Sequence, residues 1–312
     1  MDFPDNTYNL LDILPFYLED RAAIGLSDST VATKERLVRK FVTWCAKEGI
    51  HDIKDLNINV LEGFRRHRHK YRKSDGKPLQ LSTLAQELMA VIDFMKFLDY
   101  YDLLESDFYK KFRLPKVGKS LPKDIPEHEE VEIIFHQTQT TGYMRLRDEA
   151  ILKTFYSGGM RRQELANLNI SNINAKRKTL TIIKGKGSMD RVVPISNSAL
   201  AAIARYLEEL RPRLANISSG DALFLSKYGK RLCPSSITTL GGKYVSRSGI
   251  GKKGACHIFR HASATELIRN DAKLPYVQEY LGHLDINSTV IYTHVTINDL
   301  SKAYHECHPA NK

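Results

Sequence analysis

Cysteine is scarce in this 312-residue chain, and the four present, Cys45, Cys233, Cys256 and Cys307, lie far apart with no Cys-x-x-Cys pair. That excludes a zinc knuckle or a disulfide framework and predicts reduced thiols in a cytoplasmic setting. No apolar run approaches the roughly 18 residues that a membrane span needs, so no membrane partner is expected. The segment from Met1 to Asn9 is acidic and has no basic stretch ahead of an apolar core, so no secretory leader is expected. Internal repeats and low-complexity tracts are also missing. Finally, the histidine-rich stretch from His257 onward offers no carboxylate cluster beside its histidines, which argues against metal-dependent nuclease chemistry.

What the chain does have is positive charge. Lys and Arg number 47 against 36 Asp and Glu, a net charge of +11 and a pI of about 9.3, which points to an anionic partner, nucleic acid first. Residues 1–120 hold 20 Lys and Arg against 18 acids, leaving 27 against 18 for the rest. The first part still concentrates its cations. Arg65, Arg66, Arg68, Lys70, Arg72, Lys73 and Lys77 crowd one stretch in which Asp75 is the sole acid, and they are candidate phosphate contacts.

Length and punctuation predict two domains. Helical spacing of apolar residues runs from Leu11 to Ile24. A second helix follows the Ser27-Asp28-Ser29-Thr30 cap cluster and ends near Gly49. Further helices are expected from Val60 to about Tyr71, after a Ser82-Thr83 cap through Leu98, and near Ser106–Phe112. These make a helical domain over residues 1–113. Residues 114–126, with three prolines, one glycine and three lysines, form an extended linker, and 127–312 make the second domain. There, helices are expected near 127–138, 145–156, 161–168, 197–211, 235–247, 259–270, 273–281, 287–294 and 297–306. Residues 179–195 are expected to form a β-hairpin around a Gly/Lys loop. The fold class is therefore mainly α with a small antiparallel β-sheet, an all-helical domain followed by an α+β domain.

Five fragments of the second domain can carry chemistry. His257, Arg260 and His261 share one helix face, and the intervening Ile258-Phe259-Arg260 lacks the glutamate of a His-Glu-x-x-His zinc helix. An arginine between imidazoles repels a dication but grips phosphate oxygens bidentately. Gly282 fits the left-handed end of a helix, which places His283 at the start of the next loop. Tyr292 follows His283 by nine residues on a helix capped by Asn287-Ser288-Thr289. Arg161 follows Gly158-Gly159 at a helix start, where an anion is favoured, and Glu164 is spaced to orient it. Lys184 and Lys186 sit at the hairpin tip, in reach of a DNA groove. Taken singly, each fragment also has a bland reading as a surface ion pair, basic turn or core aromatic.

In this order, the fragments resemble the tyrosine recombinase (phage integrase) family over nearly the whole chain. Gly159-Met160-Arg161-Arg162-Gln163-Glu164-Leu165 resembles its first arginine motif, and Gly185-Lys186-Gly187 through Arg191-Val192-Val193-Pro194 its lysine hairpin. His257-Ile258-Phe259-Arg260-His261 resembles its His-x-x-Arg-His motif. Leu281-Gly282-His283 and Ile291-Tyr292-Thr293-His294-Val295 resemble the final two. Length and the His305 to Pro309 tail are nearest the Xer-type members. Met160 and Phe259 depart from the usual leucine, Arg162 from an apolar residue, and Met189 from a frequently basic hairpin position.

The resemblance implies a SAM-like core-binding domain joined to a tyrosine recombinase catalytic domain. It implies that Tyr292 attacks the scissile phosphate to give a 3′-phosphotyrosine, that Arg161, Arg260 and His283 hold the phosphate, and that His257 eases deprotonation of Tyr292. Lys186 is then the acid for the departing 5′-oxygen, and Glu164 supports Arg161. Neither metal nor nucleotide cofactor is implied. The implied partner is duplex DNA with an inverted-repeat site, bound by four protomers on two sites, either all of this chain or shared with a related recombinase, with the C-terminal segment docking on a neighbour. Rival readings are a type IB topoisomerase-like strand passage and a catalytically inactive DNA-binding regulator.

Overall fold

A computed structural model of the chain describes residues 9–118, 125–140, 142–183 and 190–282. Two compact units, Met1–Lys119 and Ser120–Lys312, are each built on their own apolar cluster. Residues 119–124 of the expected linker, the hairpin tip, and the helices expected near 287–294 and 297–306 lie outside the described residues.

In the first unit the helices are α1 (Leu10–Ala23), α2 (Asp28–Lys47), α3 (Ile58–Lys70) and α4 (Leu81–Tyr100), with 3₁₀ turns at Ile53–Asp55 and Phe108–Lys111. Leu84, Leu88, Val91, Phe94, Met95 and Leu98 line the buried face of α4 at helical spacing. Tyr17 packs edge-on against Phe94 and Phe97, and its hydroxyl donates to Asp93 at 2.7 Å. Two expectations need correction. The helix starts at Leu81, after an extended Gln80 that makes no side-chain cap, so Ser82 and Thr83 lie inside its first turn. Packing of the long buried face sets that start, which capping propensity alone does not reveal. The helix expected near Ser106–Phe112 is only the turn Phe108–Lys111.

The second unit runs α5 (His128–His136), α6 (Arg145–Gly158), α7 (Arg162–Asn167), β1 (Ile173–Asn174), β2 (Thr179–Ile182) and β3 (Arg191–Pro194). It continues with α8 (Asn197–Arg205), α9 (Arg211–Leu214), α10 (Pro234–Arg247), α11 (Cys256–Arg269) and α12 (Leu274–Leu281). A π turn at Tyr206–Leu210 joins α8 to α9 just before Pro212, whose missing N–H makes an ordinary α turn there costly.

The expected hairpin is present. β2 and β3 pair antiparallel, with Leu180 opposite Val193 and Ile182 opposite Arg191. Alternation buries Leu180, Ile182 and Val193 and exposes Val192. The edge strand β1, paired on β2, was not expected, because two residues carry no readable periodicity. Helix α6 is central, packed on α8 and α11, while α12 packs on α11 and β3. Met160 and Phe259, which depart from the usual leucine, are both fully buried in this core.

Candidate active site

The first arginine is placed by the break between α6 and α7. Gly159 closes α6 in the left-handed conformation (φ 53°), and the ring of Tyr280 lies so near that a Cβ on Gly159 would stand 2.3 Å from it. The freedom of this glycine therefore serves a turn and a close aromatic contact. Arg161 follows in extended backbone as the N-cap of α7. Its backbone N–H donates to Glu164 Oε2 at 2.8 Å, and its Nη1 donates to Glu164 Oε1 at 2.8 Å.

Glu164 is only 4% exposed and serves two arginines. Arg191, the first residue of β3, donates Nη1 to Oε1 at 3.0 Å and Nη2 to Oε2 at 2.8 Å. Burial alone raises the carboxyl pKa, but the hydrogen bonds and charges of Arg191 and Arg161 outweigh it and hold the group at about 2. Glu164 is thus a fixed anion at every physiological pH.

Arg260, in the second turn of α11, is 5% exposed. It donates Nη1 to the carbonyl of Gly159 at 2.5 Å and Nη2 to that of Leu281 at 2.8 Å. Arg161 donates Nη2 to the carbonyl of Gly282 at 2.8 Å, and Arg191 donates Nε to that of Tyr280 at 3.2 Å. Three consecutive carbonyls at the end of α12 are therefore each met by a different arginine. A helix C-terminus leaves its last carbonyls without intrahelical partners and carries partial negative charge, so three guanidinium groups there are favourable. Gly282 itself takes the left-handed conformation (φ 63°) that ends α12, as expected.

His257 lies in the first turn of α11 and is exposed at its edge. Desolvation, and then the charges of Arg162, Arg260 and Arg161, lower its pKa, so the imidazole is neutral at pH 7. Burial, helped by His257 and Arg260, lowers its neighbour His261 to about 4. Tyr280 is not set up as a nucleophile. Its hydroxyl donates to the carbonyl of Ser157 at 2.9 Å and lies 2.8 Å from Ser263 Oγ, and burial raises its pKa to about 12.

Of the expected site, Arg161 and Arg260 meet the end of α12, Glu164 holds Arg161, and His257 lies within electrostatic reach of both arginines. Lys184, Lys186, His283 and Tyr292 lie outside the described residues, though Ile183 and Gly282 immediately precede Lys184 and His283 in the chain. Two participants are not distinguished by the sequence: Arg191, which there is one residue of the hairpin motif, and Tyr280. The signal for Arg191 was a cation at a strand position facing a core whose charge partner was still unplaced.

The cation cluster of the first unit divides in a way the sequence hid. Arg66 and Lys70 of α3, and Lys73 beyond it, are exposed. Arg65 is half-buried, pairs with Glu62, donates to the carbonyl of Arg113 and lies over the Phe112 ring. Arg72 is exposed but turns its Nη1 onto the carbonyls of His69, Lys70 and Tyr71 at the end of α3. Arg68 requires correction as a phosphate contact. It is 8% exposed and grips Glu87 with Nε at 2.7 Å and Nη2 at 3.1 Å. Burial raises the Glu87 carboxyl, but Arg68 and Lys40 outweigh this and hold it below the usual range. A bare carboxylate inside α4 needs such partners, so Arg68 is spent on the core.

Comparison with known proteins adds three findings. A sequence model of the phage integrase family matches residues 126–299. The tyrosine recombinase XerC 2 of Ralstonia nicotianae is 36% identical over 294 residues, covering 94% of this chain and 84% of its own. Among solved structures, XerH recombinase on a palindromic difH substrate, in a post-cleavage complex, superposes with a TM-score of 0.75 at 21% identity, covering 95% of this chain and 84% of that one.

Proposed function

Since the chain belongs to the phage integrase family and is a tyrosine recombinase, we propose how its own residues carry out site-specific strand transfer. The Tyr292 oxygen attacks the scissile phosphorus. A P–O bond to tyrosine forms and the bond to the 5′-oxygen breaks, giving a 3′-phosphotyrosine and a free 5′-hydroxyl. His257, neutral at pH 7, takes the tyrosine proton. Lys186 gives a proton to the departing oxygen, and His283 donates to the phosphate. Attack by a 5′-hydroxyl on the phosphotyrosine reverses the bond changes on a new strand. Phosphodiester energy is conserved in the protein–DNA bond, so no nucleotide cofactor is needed, and the two arginines supply the charge a metal would.

The observation that carries this reading is the convergence of Arg161 and Arg260. They lie far apart in sequence, yet each puts a guanidinium nitrogen 2.8 Å from one of two adjacent carbonyl oxygens, Gly282 and Leu281, immediately before His283. Groups arranged to donate to closely spaced oxygens are what a pentacoordinate phosphorus with two non-bridging oxygens needs.

The DNA partner is a duplex with inverted-repeat arms, cut and rejoined in the cytoplasm by four protomers on two sites. The exposed Arg66, Lys70 and Lys73 of the first unit meet its backbone as part of a core-binding domain, and Lys184 at the hairpin tip adds a contact. The test is Tyr292→Phe against wild type on a nicked duplex bearing the selected binding site, with EDTA present, read on denaturing gels. Wild type should form a protein–DNA adduct that the variant does not, at nearly equal affinity. No tyrosine-dependent adduct would sink the mechanism. Adduct without strand exchange between two sites would favour the topoisomerase-like alternative.

A further inference from the structure

We propose that Arg191 is a positioning residue for strand transfer, acting through Glu164 on Arg161 and through α12 on the segment that carries His283; this rests on the mechanism above. Three elements meet at its guanidinium. Arg191 is the first residue of β3, the second strand of the hairpin, where it pairs with Ile182 of β2. It clamps both carboxylate oxygens of Glu164 on α7, at 3.0 and 2.8 Å. Its Nε caps the Tyr280 carbonyl at the end of α12, at 3.2 Å. Its side chain is 10% exposed and that of Glu164 is 3% exposed, so this charge pair is almost withdrawn from water.

The geometry explains why such a residue is needed. Glu164 meets Arg161 through both oxygens, Oε2 accepting from the backbone N–H and Oε1 from Nη1, but both donors belong to the residue that caps its own short helix. Those contacts hold the carboxylate only within its own turn. The bidentate clamp from β3 fixes the carboxylate plane, and the fixed plane sets the direction of Arg161. A fork is required, since a lysine supplies a point charge with no planar orientation. Through the Tyr280 carbonyl the same guanidinium ties the hairpin base to the helix end preceding His283. It also packs against Gly282, where a Cβ would stand 2.8 Å from Nη1.

The experiment uses the full-length protein on the nicked duplex and compares wild type, Arg191→Gln, Arg191→Lys, Glu164→Gln and the Arg191→Gln/Glu164→Gln double variant. Readouts are the single-turnover rate of adduct formation, the DNA Kd, and the rate at several pH values. Wild-type adduct formation tests the underlying mechanism first and separately. Arg191→Gln should slow cleavage roughly 100-fold, the scale of a misplaced catalytic group, with Kd changed less than about 3-fold. Glu164 then loses its main cationic partner, so the acid limb of the rate profile should lie at higher pH in Arg191→Gln than in wild type. Arg191→Lys should recover the missing charge, and so most of the pH profile, but only part of the rate. In the double variant the two losses should be far from multiplicative. Cleavage by Arg191→Gln at the wild-type rate, or multiplicative losses in the double variant, would overturn the proposal. If Arg191→Gln does not fold, Arg191→Lys decides alone: full wild-type rate overturns the idea, and a slowed rate at unchanged Kd supports it.

Discussion

Arg161 donates to the carbonyl of Gly282 at 2.8 Å across 121 residues of sequence. The first arginine motif and the approach to His283 are therefore one joined piece of structure. Displacing either end should be felt at the other.

Two glycines at that joint should respond differently to a methyl group. Gly159→Ala combines left-handed backbone with a ring 2.3 Å from the new Cβ. It should cost about 2–4 kcal/mol in thermal or urea unfolding. Gly282→Ala meets the end of the Arg191 side chain instead, which can move, so it should cost only about 1 kcal/mol. Its penalty should appear in the cleavage rate, because a shifted Arg191 releases Glu164.

Acid should weaken the second unit through Glu164. Its folded pKa of about 2 lies below the ordinary 4.5, so its contribution is complete above pH 4.5 and disappears as pH falls toward 2. The full contribution is on the order of 3 kcal/mol. Unfolding curves of wild type and Glu164→Gln should differ most near neutrality and converge in that window.

His261 should give a second, higher window. Its pKa falls from 6.5 to about 4 on folding, so the unfolded chain binds a proton that the folded chain refuses. Stability present above pH 6.5 is lost as pH drops toward 4. A His261→Gln variant should show a flatter stability profile between those values, with part of the slope remaining from His257, which titrates low for related reasons.

In the first unit, two arginines of one helix should separate cleanly. Arg66→Ala should leave melting temperature nearly unchanged while reducing the slope of log affinity against log salt by about 1. Arg68→Ala leaves Glu87 buried with Lys40 as its remaining cation, and should cost about 3 kcal/mol of stability. Its salt slope should stay at the wild-type value. An unchanged slope in Arg66→Ala would remove that residue from the DNA contact surface.

The helices were legible because their apolar residues recur at a period that burial enforces, as along α4 from Leu84 to Leu98. The β2–β3 hairpin was legible from its β-rich runs and Gly/Lys turn. Caps and short elements were not. Ser82 and Thr83 have capping chemistry, yet α4 begins before them, and β1 is too short to show a pattern.

By itself the sequence determined the two-unit helical plan, the small sheet and the residue types from which a phosphate-transfer site is made, since these depend on local periodicity and side-chain chemistry. Tertiary structure alone decided which charges are available. Arg66 and Arg68 are indistinguishable in the chain, yet one faces solvent and the other neutralises Glu87. Arg191 read as one more hairpin cation until folding placed it on Glu164 and the end of α12. A charge acquires its role from the groups that desolvate and pair it, and those arrive from distant parts of the chain.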